Sequence, residues 1–308
     1  MEIKDLAGLS EPLTKLIEVI SIGVGKVTNS HIIKKDAKAR AYEIDMILQA
    51  LEKNKELLGK GEYKDGTINL EMGKLDYTTR ENKALQRVVY QEVRRQENIE
   101  QITQNAAEEL AGVKDVSTDK VEVDWITRFF NIVQNISSEE MQVLWSRILA
   151  GEVRNPGSYS MRTLELMRNI TTQEAKVISK AFNLCVKADI GAFIIDNEQF
   201  LREYFDLSLS DFLLLEELGL IQRELGFEIK NDPHVQEREL LKYGNKTIEV
   251  IVDAGSGDQS VDVHKLTNVG REILSLISIE PKETYVKELL TLFNKPGINA
   301  HVREVPIR

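Results

Sequence analysis

The sequence predicts a mainly α protein: a multi-helix N-terminal and central bundle with one long helix, then a small C-terminal α+β module of winged-helix-like character. Three observations carry that expectation. Prolines number only six in 308 residues, and the chain is rich in Glu, Lys, Gln, Leu and Ala, which lose little side-chain freedom in a helix. Apolar residues recur at steps of three and four in the successive segments before Ile194, one face of a 3.6-residue period. Beyond Ile194 the character changes, and in K-T-I-E-V-I-V-D the residues Ile248, Val250 and Val252 alternate as in a strand.

Four segments follow from this reading: N-terminal amphipathic helices over 1–58, a linker or insert over 59–79, a long helix and Trp-rich helical core over 80–190, and the winged-helix-like module over 191–308. The first helix spans 9–28, with Leu13, Leu16, Ile17, Ile20, Val24 and Val27 on one side and Pro12 just inside its start. Gly23 and Gly25 weaken its last turn. A second helix is expected over about 32–58. Four glycines between Gly59 and Thr79 break the pattern, and Lys64-Asp65-Gly66 reads as the turn of a short hairpin.

Residues 80–111 read as one helix, about 45 Å long at about 1.5 Å per residue. Its apolar stripe is thin: Val88, Val89, Val93, Ile99, Ile102, Ala106 and Leu110 among charged and amide side chains. A thin stripe suits either one face of a bundle within the chain or a seam for self-association. The next helix carries Trp125, Phe129, Phe130 and Val133 behind Asp124. Ser137 with Glu140 has the spacing of a capping box, and the helix it opens, with Met141, Leu144, Trp145 and Ile148, is expected to stop at Gly151. Asn155-Pro156-Gly157 turns the chain, Ser160 starts a further helix, and Thr171 with Glu174 opens another through about Lys187. Both tryptophans fall here, so the main core is expected here.

The C-terminal segment reads as short helices at about 197–206 and 208–220, a strand around Ile248, a turn at Ala254–Gly257, a helix capped by Thr267 and a last helix over about 282–293. Helices followed by a ribbon and a helix resemble a winged helix-turn-helix over about 208–280. The stretch F-L-L-L-E-E-L-G-L-I from Phe212 stands where that fold has the end of its recognition helix. Reading DNA requires Lys, Arg, Asn or Gln on that helix. Leu207–Leu220 instead offers Asp211, Glu216 and Glu217 and no basic residue.

Charge points the same way. The net charge is −10, and residues 196–308 carry 13 Lys+Arg against 21 Asp+Glu, whereas 1–195 are nearly balanced at 27 against 29. An acidic half repels phosphate backbones, so nucleic acid is not expected as a partner of the C-terminal module. The single cysteine, Cys185, excludes an intramolecular disulfide. It lies in an apolar run that reads as buried and inert, and a reducing, cytoplasmic setting fits. The start M-E-I-K-D-L has no secretory pattern, and no stretch approaches the roughly 20 apolar residues of a membrane span.

No catalytic, cofactor-binding or metal-ligating set emerges. Gly23-Val24-Gly25-Lys26 lacks the spacing and the following Ser or Thr of a phosphate loop. His31, His234, His264 and His301 are far apart and form no zinc motif. Glu228-Ile229-Lys230 has the E-x-K spacing of a metal nuclease but no convincing partner aspartate. Two polar groupings remain as candidate sites. Lys34, Lys35, Lys38 and Arg40 follow the first amphipathic helix and could meet an anionic membrane surface. Arg147, Glu152, Arg162 and Glu165 crowd the helix pair around the Pro156-Gly157 turn, as a polar site or as ion pairs fixing two helices.

Several segments together carry a family resemblance: G-L-S-E-P-L-T-K-L-I-E from Gly8, R-R-Q-E-N-I-E-Q-I from Arg94, D-W-I-T-R-F-F from Asp124, and E-M-Q-V-L-W-S-R-I-L-A-G-E with P-G-S-Y-S-M-R-T-L-E from Glu140 onward. Over about 8–185 the chain resembles a bacterial family known only as a domain of unknown function. The resemblance brings no established activity, cofactor or catalytic residue, and implies an association with prophage or phage-defence genes. The expectation is thus a non-enzymatic interaction or regulatory protein, a component of a phage-defence or stress response acting as a homo-oligomer on a protein partner of unknown identity. The alternatives are a membrane-active effector working through residues 9–40 and a winged-helix transcription regulator.

Overall fold

The computed structural model describes residues 10–24, 61–64, 67–70, 80–189, 191–229, 234–256 and 259–303. They fall into two compact units, Met1–Ser158 and Tyr159–Arg308.

Unit 1 is helical apart from a hairpin. Its elements are α1 (Glu11–Val24), strands β1 (Gly61–Lys64) and β2 (Thr67–Leu70), α2 (Arg80–Leu110), α3 (Val123–Val133) and α4 (Glu139–Arg154). The hairpin expected around residues 64–66 is present, with Lys64 opposite Thr67. The helix expected over 32–58 lies outside the described residues. Helix α1 packs against α3, α4 and α2, and α2 packs mainly along α4. Leu16, Ile17, Val19 and Ile20 bury the apolar face of α1. Gly23 has a packing role the sequence did not show: a Cβ there would fall 2.0 Å from Phe130 Cδ2, so only glycine admits this approach of α1 to α3.

The core of unit 1 is aromatic. Trp125 and Phe129 stack at 5.1 Å, and Phe129 meets the edge of Trp145 at 5.7 Å. Trp145, Ile126, Ile148, Leu149 and Val153 are fully buried around them. Buried Asn98 and Gln142 serve the connection from α3 to α4. Asn98 Nδ2 donates to the carbonyl of Gln134 at 2.9 Å, and Gln142 Nε2 donates to that of Ile136 at 3.0 Å. Ser137 is not a cap: Ser138 holds that position, and Ser137 Oγ accepts from Arg94 Nε at 3.1 Å and Asn98 Nδ2 at 3.2 Å. Helix α4 runs past Gly151 to Arg154.

Unit 2 overturns the expected fold class. In place of a small winged-helix-like module on a mainly α protein, it holds a seven-stranded antiparallel sheet, so the protein is mixed α and β. The elements are α5 (Met161–Asn169), α6 (Thr172–Phe182), β3 (Val186–Ala188), β4 (Gly191–Ile195), α7 (Glu198–Phe205), α8 (Leu209–Glu217), β5 (Ile221–Ile229), β6 (Glu237–Tyr243), β7 (Lys246–Val252), β8 (Gln259–Leu266), α9 (Asn268–Leu274), α10 (Glu283–Phe293) and β9 (Ile298–Arg303). The strand order is β5-β8-β4-β3-β6-β7-β9.

The missed strands have physical reasons for being missed. Ala192 to Ile195 in β4 are all buried, so that strand shows an unbroken apolar run and no alternation. In β6, Glu237, Arg238, Glu239 and Lys242 hide a period whose inward members are Leu241 and Tyr243. The expected helix to Lys187 ends at Phe182, because Cys185 and Val186 turn into β3. Between β6 and β7 a two-residue loop pairs Tyr243 with Lys246, and Gly244 takes φ +56° as the first central residue of the tight turn.

Caps behave as read at two helix starts. Thr171 and Glu174 form a complete capping box on α6, and Thr267 Oγ1 accepts from Gly270 N at 3.1 Å on α9. A Cβ at Gly270 would meet the Leu220 carbonyl oxygen at 2.1 Å, which locks α9 against the start of β5.

Candidate functional site

The two candidate groupings have different fates. Lys34, Lys35, Lys38 and Arg40 lie outside the described residues. Arg147 and Glu152 stand on α4 in unit 1, and Arg162 and Glu165 on α5 in unit 2. Arg147 Nε is 3.5 Å from Glu109 Oε1, both side chains nearly half exposed. Glu152 is buried, and its Oε1 accepts from Gly157 N at 2.7 Å, which braces the turn after α4. Glu165 pairs with Arg168 at 3.8 Å along its own helix, and Arg162 is exposed.

Cys185 is fully buried, and burial raises its pKa well above that of an ordinary thiol despite Lys187 nearby. That is an unreactive thiol.

Two features of the fold stand out instead. The first is α2. Ile99, Ile102, Ala106 and Leu110 are buried in unit 1, whereas every described side chain from Arg80 to Arg94 is exposed. Among these are Val88, Val89, Tyr90 and Val93, each between 39% and 65% exposed. Val88 stands on the row of Ile99 and Leu110, spaced by 11 residues or about three turns. Val89, Tyr90 and Val93 point about 100–200° away from that row, at about 100° per residue. They form a second stripe, separate from the one that packs in the bundle.

The second feature is a cleft of about 230 Å³ within unit 2. The register builds it. Ile194 of β4, His264 of β8 and Arg223 of β5 stand opposite one another, and side chains two apart share a face. Asp196, just past β4, therefore shares the face of His264 and Arg223, and its N–H donates to the carbonyl of Asp262 at 2.9 Å. Helix α8 lies over this face and stacks Phe212 on the His264 ring at 4.3 Å and 18°.

Asp196 is the hub. Its Oδ2 accepts from Arg223 Nε at 2.8 Å, and its Oδ1 lies 3.4 Å from His264 Nε2. The Asp196 side chain is 13% exposed and that of Arg223 58%. His264 is 5% exposed, and its Nδ1 is buried without a hydrogen-bond partner among the described residues. Burial lowers the pKa of His264, with Arg223 acting in the same sense and Asp196 and Glu216 against it. Imidazole is thus neutral near pH 7, and with Nε2–H turned to Asp196 its Nδ1 is an acceptor. Glu198, Glu216, Leu209 and Leu213 complete the wall.

No local pattern in the sequence marks this cleft, because its members come from four elements and the residue after β4, spread between Asp196 and His264. In the sequence His264 is an isolated histidine. The only local signal was α8, whose acidic and apolar residues lack any basic partner.

The described residues hold no group of three or more His, Cys, Asp and Glu placed to bind a metal ion, and no helix among them is long and apolar enough to cross a membrane. Fold and surfaces define a two-unit protein, a helical bundle with a half-exposed long helix and an α+β unit with an acidic, half-apolar cleft. A family model described as "Protein of unknown function (DUF2806)" matches residues 82–290, more than half of the chain, and the chain belongs to that family. No curated protein and no solved structure matches it.

Proposed function

We propose that the protein works by binding other proteins, as a homo-oligomer, and not by catalysis. One observation carries the reading: the apolar stripe Val89, Tyr90 and Val93 on the exposed half of α2. A helix of 31 residues is about 46 Å long, about twice its main partner α4 at about 24 Å. Among the described residues no bundle helix buries the excess length, and its stripe faces away from the buried row. Exposed apolar side chains clustered on a helix mark contact surfaces, and helix pairing through such a stripe is the simplest way to cover one.

Helix α1 supports the membrane alternative less well, since Leu16, Ile17, Val19 and Ile20 are already covered inside unit 1. Helix α8 supports DNA reading poorly, for its exposed side chains include Leu209, Leu213 and Glu217. The phage-defence or stress-response setting belongs to this proposal as its context.

Size-exclusion chromatography with light scattering on the full chain tests it. The wild type runs as a dimer or larger species at micromolar concentration. The double variant Val89→Glu with Val93→Glu shifts to monomer with an unchanged melting curve, because both side chains are exposed. A monomeric wild type sinks the reading.

A further inference from the structure

We propose that the cleft of unit 2 is a binding site for an apolar-stemmed cation, an ammonium or guanidinium group that donates N–H bonds and is carried on an alkyl or aryl chain. The site is independent of the α2 surface.

Charge decides the sign of the ligand. Three carboxylates, Asp196, Glu198 and Glu216, face the cleft against one guanidinium, Arg223. Arg223 donates its Nε to Asp196 Oδ2 and keeps its terminal N–H groups, but one positive charge among three carboxylates leaves the cleft net negative and disfavours an anion. Asp196 is committed to Arg223 and His264. Glu198 and Glu216 make no ion pair or side-chain hydrogen bond with other described residues, and neither is buried. They are the charges a cation would meet.

A pair of glutamates would by itself be only a solvated surface. The second observation is His264. It lines the cleft, is 95% buried, and holds an acceptor nitrogen that nothing among the described residues satisfies. A buried polar atom left unpaired costs on the order of 1–3 kcal/mol. Nδ1 is closed to solvent in this structure, so an N–H from the cleft would end that deficit together with a small turn of the imidazole, while an anion or a pure acceptor would not. The phenyl ring of Phe212 holds the imidazole in place from one side.

The apolar wall fixes the rest of the ligand. Leu201 and Phe212 are buried at the base, whereas Leu209 and Leu213, one helical turn apart on α8, are 52% and 54% exposed. Leucines left in water beside unpaired carboxylates suit a hydrocarbon stem ending in a positive head. A volume of about 230 Å³ holds one such group and not a large cofactor. The same chemistry comes from two sources, a small organic amine or a Lys or Arg side chain on a peptide.

Calorimetric titration of the full chain near pH 7.5 tests this with four small probes: phenethylamine, agmatine, phenylacetate and 2-phenylethanol. The two cations bind with Kd below about 1 mM, and the anion and the neutral alcohol bind at least about tenfold more weakly. The double variant Glu198→Gln with Glu216→Gln weakens the cations about tenfold or more with an unchanged melting curve. His264→Phe, which removes the acceptor and keeps the stack, weakens them in the same direction. A fifth probe, an N-acetylated Phe-Arg amide, separates the sources. Tighter binding than agmatine points to a peptide side chain, and equal or weaker binding to a small amine. Phenylacetate binding as well as phenethylamine would overturn the proposal. So would unchanged cation affinity in the glutamate variant, or no cation binding at about 10 mM. None of these results bears on the oligomeric state, so the two proposals fail separately.

Discussion

Each unit buries one aromatic ring with a nitrogen left unpaired, and the two rings sit in opposite kinds of surroundings. Trp145 Nε1 in unit 1 and His264 Nδ1 in unit 2 are the buried side-chain nitrogens without a partner among the described residues. Trp145 is fully buried and packs in an edge contact with Phe129. His264 stands beside Asp196, Arg223 and Glu216 in the wall of an open cleft. An orphan in the closed core of a unit has no external remedy, and the volume of the ring outweighs the loss. An orphan at the edge of a polar cleft can be relieved from outside. The same defect therefore reads as a cost of packing in one unit and as a sign of a ligand in the other.

The largest effect that sharpens this contrast belongs to Trp145. Trp145→Ala leaves a cavity at the centre of unit 1 and costs about 3–5 kcal/mol. Trp145→Phe keeps most of the apolar contact and removes the unpaired N–H, so it costs about 1–2 kcal/mol. Urea unfolding followed by tryptophan emission reports this unit directly, since both tryptophans lie in it and Trp125 remains in either variant. Equal losses in the two variants would mean that the indole N–H is satisfied, and the comparison would break.

A satisfied polar centre in unit 2 supplies the middle of the scale. Glu272 of α9 accepts through one oxygen from Ser160 N at 2.6 Å and from Thr163 Oγ1 at 2.5 Å, and Thr163 is fully buried. The carboxylate thus caps the start of α5 from another helix. Glu272→Ala removes both bonds and leaves the Thr163 hydroxyl only its longer 3.3 Å bond with Ser160 Oγ, at about 2–3 kcal/mol. The expected result is faster hydrogen exchange over 160–169 with little change over 80–154. Uniform protection would show that the cap does not hold α5.

How much of this was legible in the sequence follows from the range of the interactions. Elements whose signal is local were readable: the long helix over 80–110, the capping box of Thr171 and Glu174, the short helices beside Asp206, the strand at Ile248. The sheet was not, because its pairing joins β4 to β8 across some 70 positions and β7 to β9 across about 50. No local period reports such pairing. Strands β6 and β8 alternate charged with apolar residues too irregularly to stand out, and β4 is apolar throughout. The cleft failed for the same reason. Asp196, Arg223 and His264 become neighbours only through strand register, and each alone is an unremarkable residue. The α2 stripe was legible as apolar spacing, but which half of it the bundle would cover depended on the length of α4.

The smallest effect is a pH dependence, and it tests the His264 side of the comparison without any ligand. Groups facing the ring are Asp196 after β4, Arg223 on β5 and Glu216 on α8. Burial, with Arg223, holds its pKa below the ordinary histidine value, against the pull of Asp196 and Glu216. The unfolded chain therefore binds this proton at a higher pH than the folded one does. Above about pH 6.5 both states are neutral and the histidine contributes no pH dependence. As pH falls below that value the unfolded state takes up the proton first, so stability drops until the folded pKa is passed. His264→Phe removes the titration. Urea midpoints read by circular dichroism between about pH 7.5 and pH 5.5 should fall more in the wild type than in the variant. A wild type that gains stability relative to the variant on acidification would mean that Asp196 and Glu216 outweigh burial. His264 would then be the charged member of an ion pair with both nitrogens donating, and a cationic ligand would have no acceptor there to meet.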